Sequence, residues 1–439
     1  MTITYRGRQR PGSPELSRVI LGPVRHNGHA IRLRPPRMSD FAAWREIRLR
    51  DRAHIEPFWS TSPVPWERRH TARRWARECL LARADMRAGR RYASAIEVDG
   101  QFAGQLEFCV IDAATGTAES SAWIDARLAG HGVLTVAGAM LLDFGVTALG
   151  LVRVIAPISP ANLAAAGLVR ALGFRKEATM ASAFDAGGSL CDHALWAWSP
   201  QDGTTTAAVA IELQTEAPAA DRHARADSPA PMIIAIAALR LALWVLVRRL
   251  RRYTLARAVP ITVTDAPNIS VRGLSRADRD DWQAAAAAHG ARLAPADRSR
   301  RRPEWHRALR DARHGMRSPA GLVLVLLAGE RYAGEIRLFE PTMAGRVARL
   351  AAWADPELVD AAQLSAALRA VAEYGFGALG LRRIAAEADC ADPVSNAALA
   401  AADFAEEGVL HDHCGPTGVR ADHRLWATTT PPHSHRGRH

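Results

Sequence analysis

A short glycine-containing segment carries the residue types in this sequence that could do chemistry. Residues 121–132 read SAWIDARLAGHG, so that Arg127, Gly130 and Gly132 form the pattern R-x-x-G-x-G, and the apolar run 133–149 follows at once. Glycines let a backbone approach a ligand closely, and successive N–H groups at a helix N-terminus form a cradle for phosphate. The glycine order differs from G-x-G-x-x-G, so the segment predicts a phosphorylated ligand other than a nicotinamide dinucleotide.

The neighbouring segments predict the elements that hold this loop. Residues 119–125 form a strand that enters the loop, and the run 133–149 forms the helix that leaves it. Residues 152–158 predict the next strand, and Asn162 caps a helix that ends before Gly173. Predicted strands and predicted helices both occur along the whole chain, and this pattern favours a mixed α/β (α+β) fold.

Composition narrows the functional class. The chain has 439 residues, five cysteines without a C-x-x-C pair, and a net charge of +12. No disulfide framework, zinc ribbon or signal peptide is indicated, and we expect a cytoplasmic protein without a metal. The basic charge invites a nucleic-acid interpretation. However, Lys176 is the only lysine, and the excess of arginine and alanine is typical of a GC-rich coding sequence. We expect no specific nucleic-acid partner, and contact of basic segments with a ribosome or a membrane surface is the alternative.

The chain repeats itself. Ile31, Arg34, Asp40 and Trp44 recur 238 residues later, and Trp123 and Asp125 recur 230 residues later as Trp353 and Asp355. A nearly constant offset across many segments predicts a tandem duplication. The predicted organisation is an N-terminal extension (1–28), a first domain (29–199), a disordered linker (200–231), an apolar and basic interdomain helix (232–258), a second domain (259–428) and a disordered His-rich tail (429–439).

The segment 232–252 is apolar and then arginine-rich, and it is the one segment that could meet a membrane. Arg240 in its middle would cost about 2.5–3.5 kcal/mol in a membrane span. The favoured interpretation is a helix packed between domains, and a peripheral amphipathic helix at the membrane surface is second.

The ordered motifs of the first domain resemble those of the GNAT acetyltransferase superfamily, and in particular the branch that acetylates the N-termini of ribosomal proteins. The matching positions form W-x-D, R-x-x-G-x-G, P-x-N and L-G-F: Trp123, Asp125, Arg127, Gly130, Gly132, Pro160, Asn162, Leu172, Gly173 and Phe174. The resemblance covers about residues 30–198 and, weakly, 269–426. It implies two GNAT-like domains, each with a mostly antiparallel twisted sheet flanked by helices.

The resemblance also implies an acetyl-CoA site and an amine acceptor, either a protein N-terminus or a small molecule. The backbone of Leu128, Ala129, Gly130, His131, Gly132 and Val133 would hold the pyrophosphate, with Arg127 in the same motif. Trp123 and Ile124 would bind the pantetheine arm and orient the acetyl carbonyl, and Asn162 would contact the cofactor from the next helix. Glu119 would be the general base, with a solvent-facing strand glutamate as the alternative. Ala165 and its neighbours stand where the family often has a tyrosine or serine acid, so coenzyme A would leave as a thiolate or the activity would be altered.

The second copy departs from this pattern at the candidate site. Glu119, Arg127, Gly130 and Gly132 correspond to Arg349, Glu357, Asp360 and Ala362. A carboxylate at position 360 would oppose phosphate binding, so we expect a degenerate, non-catalytic second domain. The alternative to an enzyme is a non-catalytic acyl-CoA sensor or scaffold whose second domain binds a partner. His411, His413 and Cys414 lie close in sequence but lack a fourth metal ligand.

Overall fold

The computed structural model describes residues 14–186, 189–201, 228–250, 260–289, 305–314, 321–342, 347–415 and 419–430. The predicted disordered linker falls mostly, and the His-rich tail almost wholly, outside these residues. So do residues 1–13 of the predicted extension and 251–258 of the predicted interdomain helix.

Sixteen strands of the described chain form one mixed sheet in the order β1-β2-β3-β4-β5-β6-β8-β7-β15-β16-β14-β13-β12-β11-β10-β9. The strands of the first half are β1 (Leu21–His26), β2 (His29–Arg34), β3 (Tyr92–Val98), β4 (Gln101–Asp112), β5 (Thr117–Ile124), β6 (Arg153–Ile158), β7 (Arg175–Ala186) and β8 (Ser189–Trp198). Those of the second half are β9 (Ile261–Thr262), β10 (Ile269–Gly273), β11 (Leu322–Ala328), β12 (Arg331–Thr342), β13 (Val347–Ala354), β14 (Arg383–Asp389), β15 (Ala405–Cys414) and β16 (Arg420–Thr429).

Helices flank both halves of the sheet. The first half has α1 (Phe41–Arg50), α2 (Arg52–Ile55), α3 (Trp66–Arg69), α4 (Ala72–Arg87), α5 (Val133–Leu149) and α6 (Leu163–Ala171). Then follow α7 (Pro231–Leu250), α8 (Arg279–His289), α9 (Trp305–His314), α10 (Ala361–Gly377) and α11 (Pro393–Ala401). This is the mixed, mostly antiparallel sheet with flanking helices that the sequence predicts. Within each half one pair of strands is parallel, β5 with β6 and β13 with β14.

Strand β1 differs from the sequence-based expectation of a loose extension up to residue 28. It pairs antiparallel with β2 around Asn27-Gly28, whose φ angles are 49° and 82°. An Asn-Gly dipeptide between two strands is the preferred sequence of a two-residue hairpin turn. Leu16 and Val24 are buried in the main core, so this segment is part of the fold of the first half.

The two halves join between β7 and β15, where Ala178 pairs with Gly408. Two buried ion pairs flank this junction, Arg153 with Glu177 and Arg383 with Glu407. The pairs exchange equivalent hydrogen bonds: Arg153 donates to the carbonyl of His411 at 2.7 Å, and Arg383 donates to the carbonyl of Ala181 at 2.6 Å. These residues are related by the 230-residue offset found in the sequence, so the junction has approximate two-fold symmetry.

The dipeptide Asp192-His193 recurs 230 residues later as Asp422-His423, and the aspartate has the same structural role in both halves. Asp192 accepts a hydrogen bond from the N–H of Ser182 at 2.9 Å, and Asp422 accepts one from the N–H of Asp412 at 3.0 Å. Both donors have φ near +48°, so each carboxylate supports a left-handed residue within a strand.

Helix α7 lies against α4, with the Arg77 guanidinium 5.5 Å from the centre of the Trp244 ring. Its Leu239 and Leu243 are 71% and 55% exposed. None of the described helices is both long and apolar enough to span a membrane. Contact of residues 232–252 with a membrane surface therefore stays a prediction.

Candidate functional site

The site is built where β5 and β6 separate. The two strands pair in parallel only from Thr117 opposite Arg153 to Glu119 opposite Ile155, although β5 continues to Ile124. Among the described strands, none pairs with β5 on that side beyond Glu119. The separation leaves a backbone edge on β5 where an extended ligand can add hydrogen bonds. Trp123 and Ile124, predicted to bind the pantetheine arm, lie on this edge.

The glycine loop lies at the end of β5 and opens α5. Gly130 and Gly132 have φ angles of +80° and +78°, a conformation that other residues adopt at a cost. Gly132 is the N-cap of α5, and no side chain caps this end of the helix. The N–H groups of Gly132, Val133 and Leu134 have no protein acceptor within the part of the chain that the structure describes. This end of α5 therefore presents unpaired donors and the positive end of a helix dipole.

Other loop residues lie around these donors. Leu128 and Ala129 form a tight turn, donating to the carbonyls of Asp125 and Ala126 at 2.9 and 3.2 Å. Arg127 and His131 are exposed, with the His131 ring 3.1 Å from the carbonyl of Ala129. A cation and an open backbone turn are thus placed together, as a phosphate ligand requires.

The end of α1 fixes the start of this loop. Arg50 donates to Asp125 at 2.5 Å, and Asp51 accepts the N–H of Ala126 at 2.8 Å. Burial alone would raise the pKa of Asp51, but hydrogen bonds from Arg50 and Ala126 outweigh it and hold the pKa below its ordinary value. Asp51 is therefore charged at neutral pH, and the loop is tied to the helical layer.

The hairpin β1–β2 supports the loop from the other side, which sequence reasoning missed. Asn27 donates to the carbonyl of His131 at 3.3 Å. The imidazole of His26 lies against Gly132, where a Cβ atom would stand 2.4 Å from its Nε2. At Gly130 a Cβ atom would meet nothing within 4 Å. The two glycines thus differ: Gly132 is needed for space and conformation, Gly130 for conformation alone.

Glu119 lies on β5 at the last paired position before the strands separate. The thiol of Cys109, a bulged residue of β4, donates to the Glu119 carbonyl at 3.3 Å and lies 3.5 Å from its carboxylate. Burial raises the pKa of Cys109, and the nearby Glu119 charge raises it further. Cys109 is therefore a neutral thiol at neutral pH. No local sequence pattern indicates this neighbour, because its position depends on a bulge in β4.

Asn162 lies at the start of α6, where its side-chain oxygen accepts the N–H of Ala165 at 3.1 Å. Asn162 therefore caps the helix, and this hydrogen bond fixes the orientation of its side-chain amide. Ala165 lies on the first turn and has no side-chain proton to give.

The second half closes the equivalent helix end with its own carboxylate. Asp360 caps α10 by accepting the N–H of Gln363 at 2.8 Å, and Gln363 accepts the N–H of Asp360 at 3.0 Å. This capping box satisfies donors that remain open at α5 and adds a negative charge. Of these two equivalent helix ends, the one without a side-chain cap lies in the first half.

The position equivalent to Glu119 also differs, because it holds an arginine, Arg349, in place of the carboxylate. Arg349 donates to Glu387, whose other oxygen is 2.9 Å from His413 Nε2. Burial would raise the pKa of Glu387, but Arg349 and His413 lower it well below its usual range. An ion cluster therefore occupies this place. His411 pairs with Asp422 at 3.0 Å, and no group of three metal-ligating side chains occurs among the described residues.

Comparisons with known proteins bear on the first half. A family model described as Acetyltransferase (GNAT) domain matches residues 30–175. A comparison with curated proteins gave no match. Among solved structures, RimJ of Mycobacterium smegmatis in complex with CoA-disulfide is 34% identical, with a TM-score of 0.42, and the alignment covers 44% of this chain and 92% of that one.

Two further solved structures are more distant. Ribosomal-protein-S5-alanine acetyltransferase from Vibrio fischeri is 20% identical over 40% of this chain and 95% of its own, with a TM-score of 0.36. RimL, a ribosomal L7/L12 alpha-N-protein acetyltransferase in complex with coenzyme A, is 18% identical over 41% and 98%, with a TM-score of 0.37. The residues matched by the family model contain the whole candidate site, and the first half of the chain is therefore a GNAT acetyltransferase domain.

Proposed function

We propose that this protein is an acetyl-CoA-dependent N-acetyltransferase with one active site, in its first half. The acceptor is a primary amine, on a protein N-terminus or a small molecule. The observation that carries the proposal is the N-terminus of α5, where Gly130 and Gly132 hold a left-handed loop and no side chain caps the helix. Open N–H groups and a helix dipole at one place suit a pyrophosphate.

Acetyl-CoA, as the cosubstrate, would supply the acetyl thioester. The backbone from Leu128 to Val133 would bind its pyrophosphate, with Arg127 adding positive charge at the exposed side. The free edge of β5 at Trp123 and Ile124 would bind the pantetheine arm. Backbone donors fixed in this way also stabilise the negative charge that develops on an acyl oxygen.

Glu119 is the proposed general base. An ammonium group has to lose a proton before its nitrogen can attack, and a carboxylate at the point where the strands separate can accept it directly or through water. Asn162 would contact the cosubstrate from the start of α6. Because Ala165 cannot donate a proton, solvent would protonate the departing thiolate.

The test is an acetyl-transfer assay on the full chain, with N-terminal peptides and small amines as acceptors and free coenzyme A as the readout. Glu119→Gln should lower kcat by about 10²- to 10⁴-fold while acetyl-CoA binding persists. Glu373→Gln, at an exposed position of α10, is the matched control and should behave as the parent.

A second function competes, and the missing hydroxyl at Ala165 favours it. The protein would then be an acyl-CoA sensor or scaffold whose second half binds a partner. Tight acetyl-CoA binding without turnover of any acceptor would support this alternative, and turnover lost in Glu119→Gln would eliminate it.

A further inference from the structure

A buried arginine on α1 lies inside a group of four tryptophans that we call the tryptophan cage. The Arg48 guanidinium carbon is 3.7 Å from the centre of the Trp59 ring, 4.8 Å from that of Trp123, 5.4 Å from that of Trp66 and 6.0 Å from that of Trp44. Arg48 is only 3% exposed. The rings attract the cation, but cation–π contacts leave its N–H groups without acceptors.

Three donors in this cage lack a hydrogen-bond partner. They are Nε and Nη1 of Arg48 and Nε1 of Trp44, all buried. The carboxylate of Glu78 favours the charged form of Arg48 electrostatically, but it accepts a hydrogen bond from the Gln105 amide at 3.0 Å. Desolvation lowers the pKa of Arg48 to about 10, so the group is still charged at neutral pH. A buried cation with unpaired donors costs several kcal/mol unless an acceptor reaches it.

The cage lies on the same face of the sheet as Glu119. Because side chains alternate along a strand, residues 119, 121 and 123 of β5 point to the same face of the sheet. On that face Trp123 packs against α1 and α3 rather than against α5. Four residues of strand separate Glu119 from Trp123, which is about 13 Å. The cage therefore belongs to the acceptor side of the proposed site, whereas the glycine loop and α5 serve the cosubstrate.

One side of the cage is formed by a loop residue. Trp59, whose ring is nearest to the guanidinium, is half-buried and belongs to the loop 59–65. That loop is held by the Thr61 N–H, which donates to the carbonyl of Asp185 at 3.3 Å. A ligand that approaches Arg48 from this side would have to displace only the Trp59 ring, because the other three rings lie on helices and a strand.

The second half differs from the first at the two positions that carry these unpaired donors. Ala286 stands at the position related to Arg48 by the 238-residue offset. Trp282, related to Trp44, donates its Nε1 to Glu335 at 2.9 Å. The positions equivalent to Arg48 and Trp44 therefore offer no unpaired donor in the described part of the second half.

We propose that Arg48 and Trp44 bind a carboxylate of the acceptor and so select acidic acceptors. The inference rests on the proposed function in one respect, that the amine is acetylated beside Glu119. A carboxylate suits the site because it offers two charged oxygens to three donors and neutralises the buried cation. The spacing of about 13 Å corresponds to an acidic residue roughly four positions from a peptide's amine. A small amine that carries its own carboxylate is the other source.

The experiment compares matched acceptors that differ only in charge. Peptides with aspartate or asparagine at positions two to five, and small amino acids against their amides, are tested for KM and kcat with the full chain. The acidic member of at least one pair should have a KM about 10- to 100-fold lower. A difference in KM within the peptide pairs indicates a peptide acceptor, and a difference within the amino acid and amide pairs indicates a small acceptor.

Variants assign the preference to the cage. Arg48→Gln should remove the difference in KM between acid and amide, with kcat and acetyl-CoA binding within about twofold of the parent. Arg45→Gln, an exposed arginine on the same helix, should retain the preference. Arg48→Lys, which keeps the charge and most of the volume, should retain part of it.

Several results would overturn the inference. One is a parent protein that treats acids and amides alike, and this comparison needs no variant. Another is a folded Arg48→Gln or Arg48→Lys protein with full acid preference. If no acceptor turns over, calorimetry of the same pairs with coenzyme A present decides. Arg48-dependent binding of the acid then upholds this inference and rejects the proposed function, and equal or absent binding rejects the inference.

Discussion

Replacing each loop glycine by alanine separates two physical roles in the cradle. At Gly130 and Gly132 alanine would adopt φ near +80°, which costs about 1–2 kcal/mol. At Gly132 the added methyl would also stand 2.4 Å from His26 Nε2, far inside contact distance, whereas at Gly130 it meets nothing within 4 Å. Forced repacking of this kind costs about 1–3 kcal/mol more. Gly132→Ala should therefore destabilise the first half by about 2–5 kcal/mol.

The assay is denaturant unfolding followed by tryptophan fluorescence, combined with a double-mutant cycle. His26→Ala removes the ring that the added methyl would meet. It should therefore restore the part of the unfolding free energy that Gly132→Ala loses through this clash, and it should restore none of the loss in Gly130→Ala. A positive coupling between positions 26 and 132 of about 1 kcal/mol or more is expected. Equal destabilisation by the two glycine variants, or no coupling to His26, would refute this description of the loop.

Two further predictions follow from buried charges. Desolvation, with the Arg48 charge second, lowers the pKa of His70 to about 4, below its unfolded value near 6.5. The unfolded chain then binds the proton more readily, so lowering the pH from 7 to 5 should cost about 2 kcal/mol of stability that a His70→Gln variant does not lose. Unfolding midpoints at both pH values check this, and parallel losses in the two proteins would contradict it. Glu407→Gln leaves the buried Arg383 unpaired at the junction of the halves and should cost about 3 kcal/mol by the same measurement. A cost equal to that of Glu406→Gln, an exposed neighbour, would contradict this.

The local patterns of the first half predicted the fold because each signal agreed with its neighbours. The strand into Trp123, the glycine loop and the apolar run 133–149 all lie where their patterns indicated. The hairpin at Asn27-Gly28 was missed although its turn signal is plain, because the surrounding Gly, Pro and Arg residues suggested an irregular extension.

Features that depend on tertiary contacts were beyond sequence reasoning. The offset that relates Arg153 and Glu177 to Arg383 and Glu407 was available in the sequence, but only the sheet shows that the two pairs face one another. Burial of Arg48 among tryptophans from two helices, a loop and a strand has no local pattern. The sequence shows a carboxylate at position 360 that we expect to repel phosphate, and only the structure shows that Asp360 also caps the helix.

The central claim is that one chain holds one acetyl-CoA site, at the open end of α5. Calorimetric titration of the full chain with acetyl-CoA tests it most directly. One molecule should bind per chain, binding should be lost in Gly132→Asp, and binding should be unchanged in Asp360→Asn. Two molecules per chain, no binding at all, or a Gly132→Asp protein that binds like the parent would contradict it.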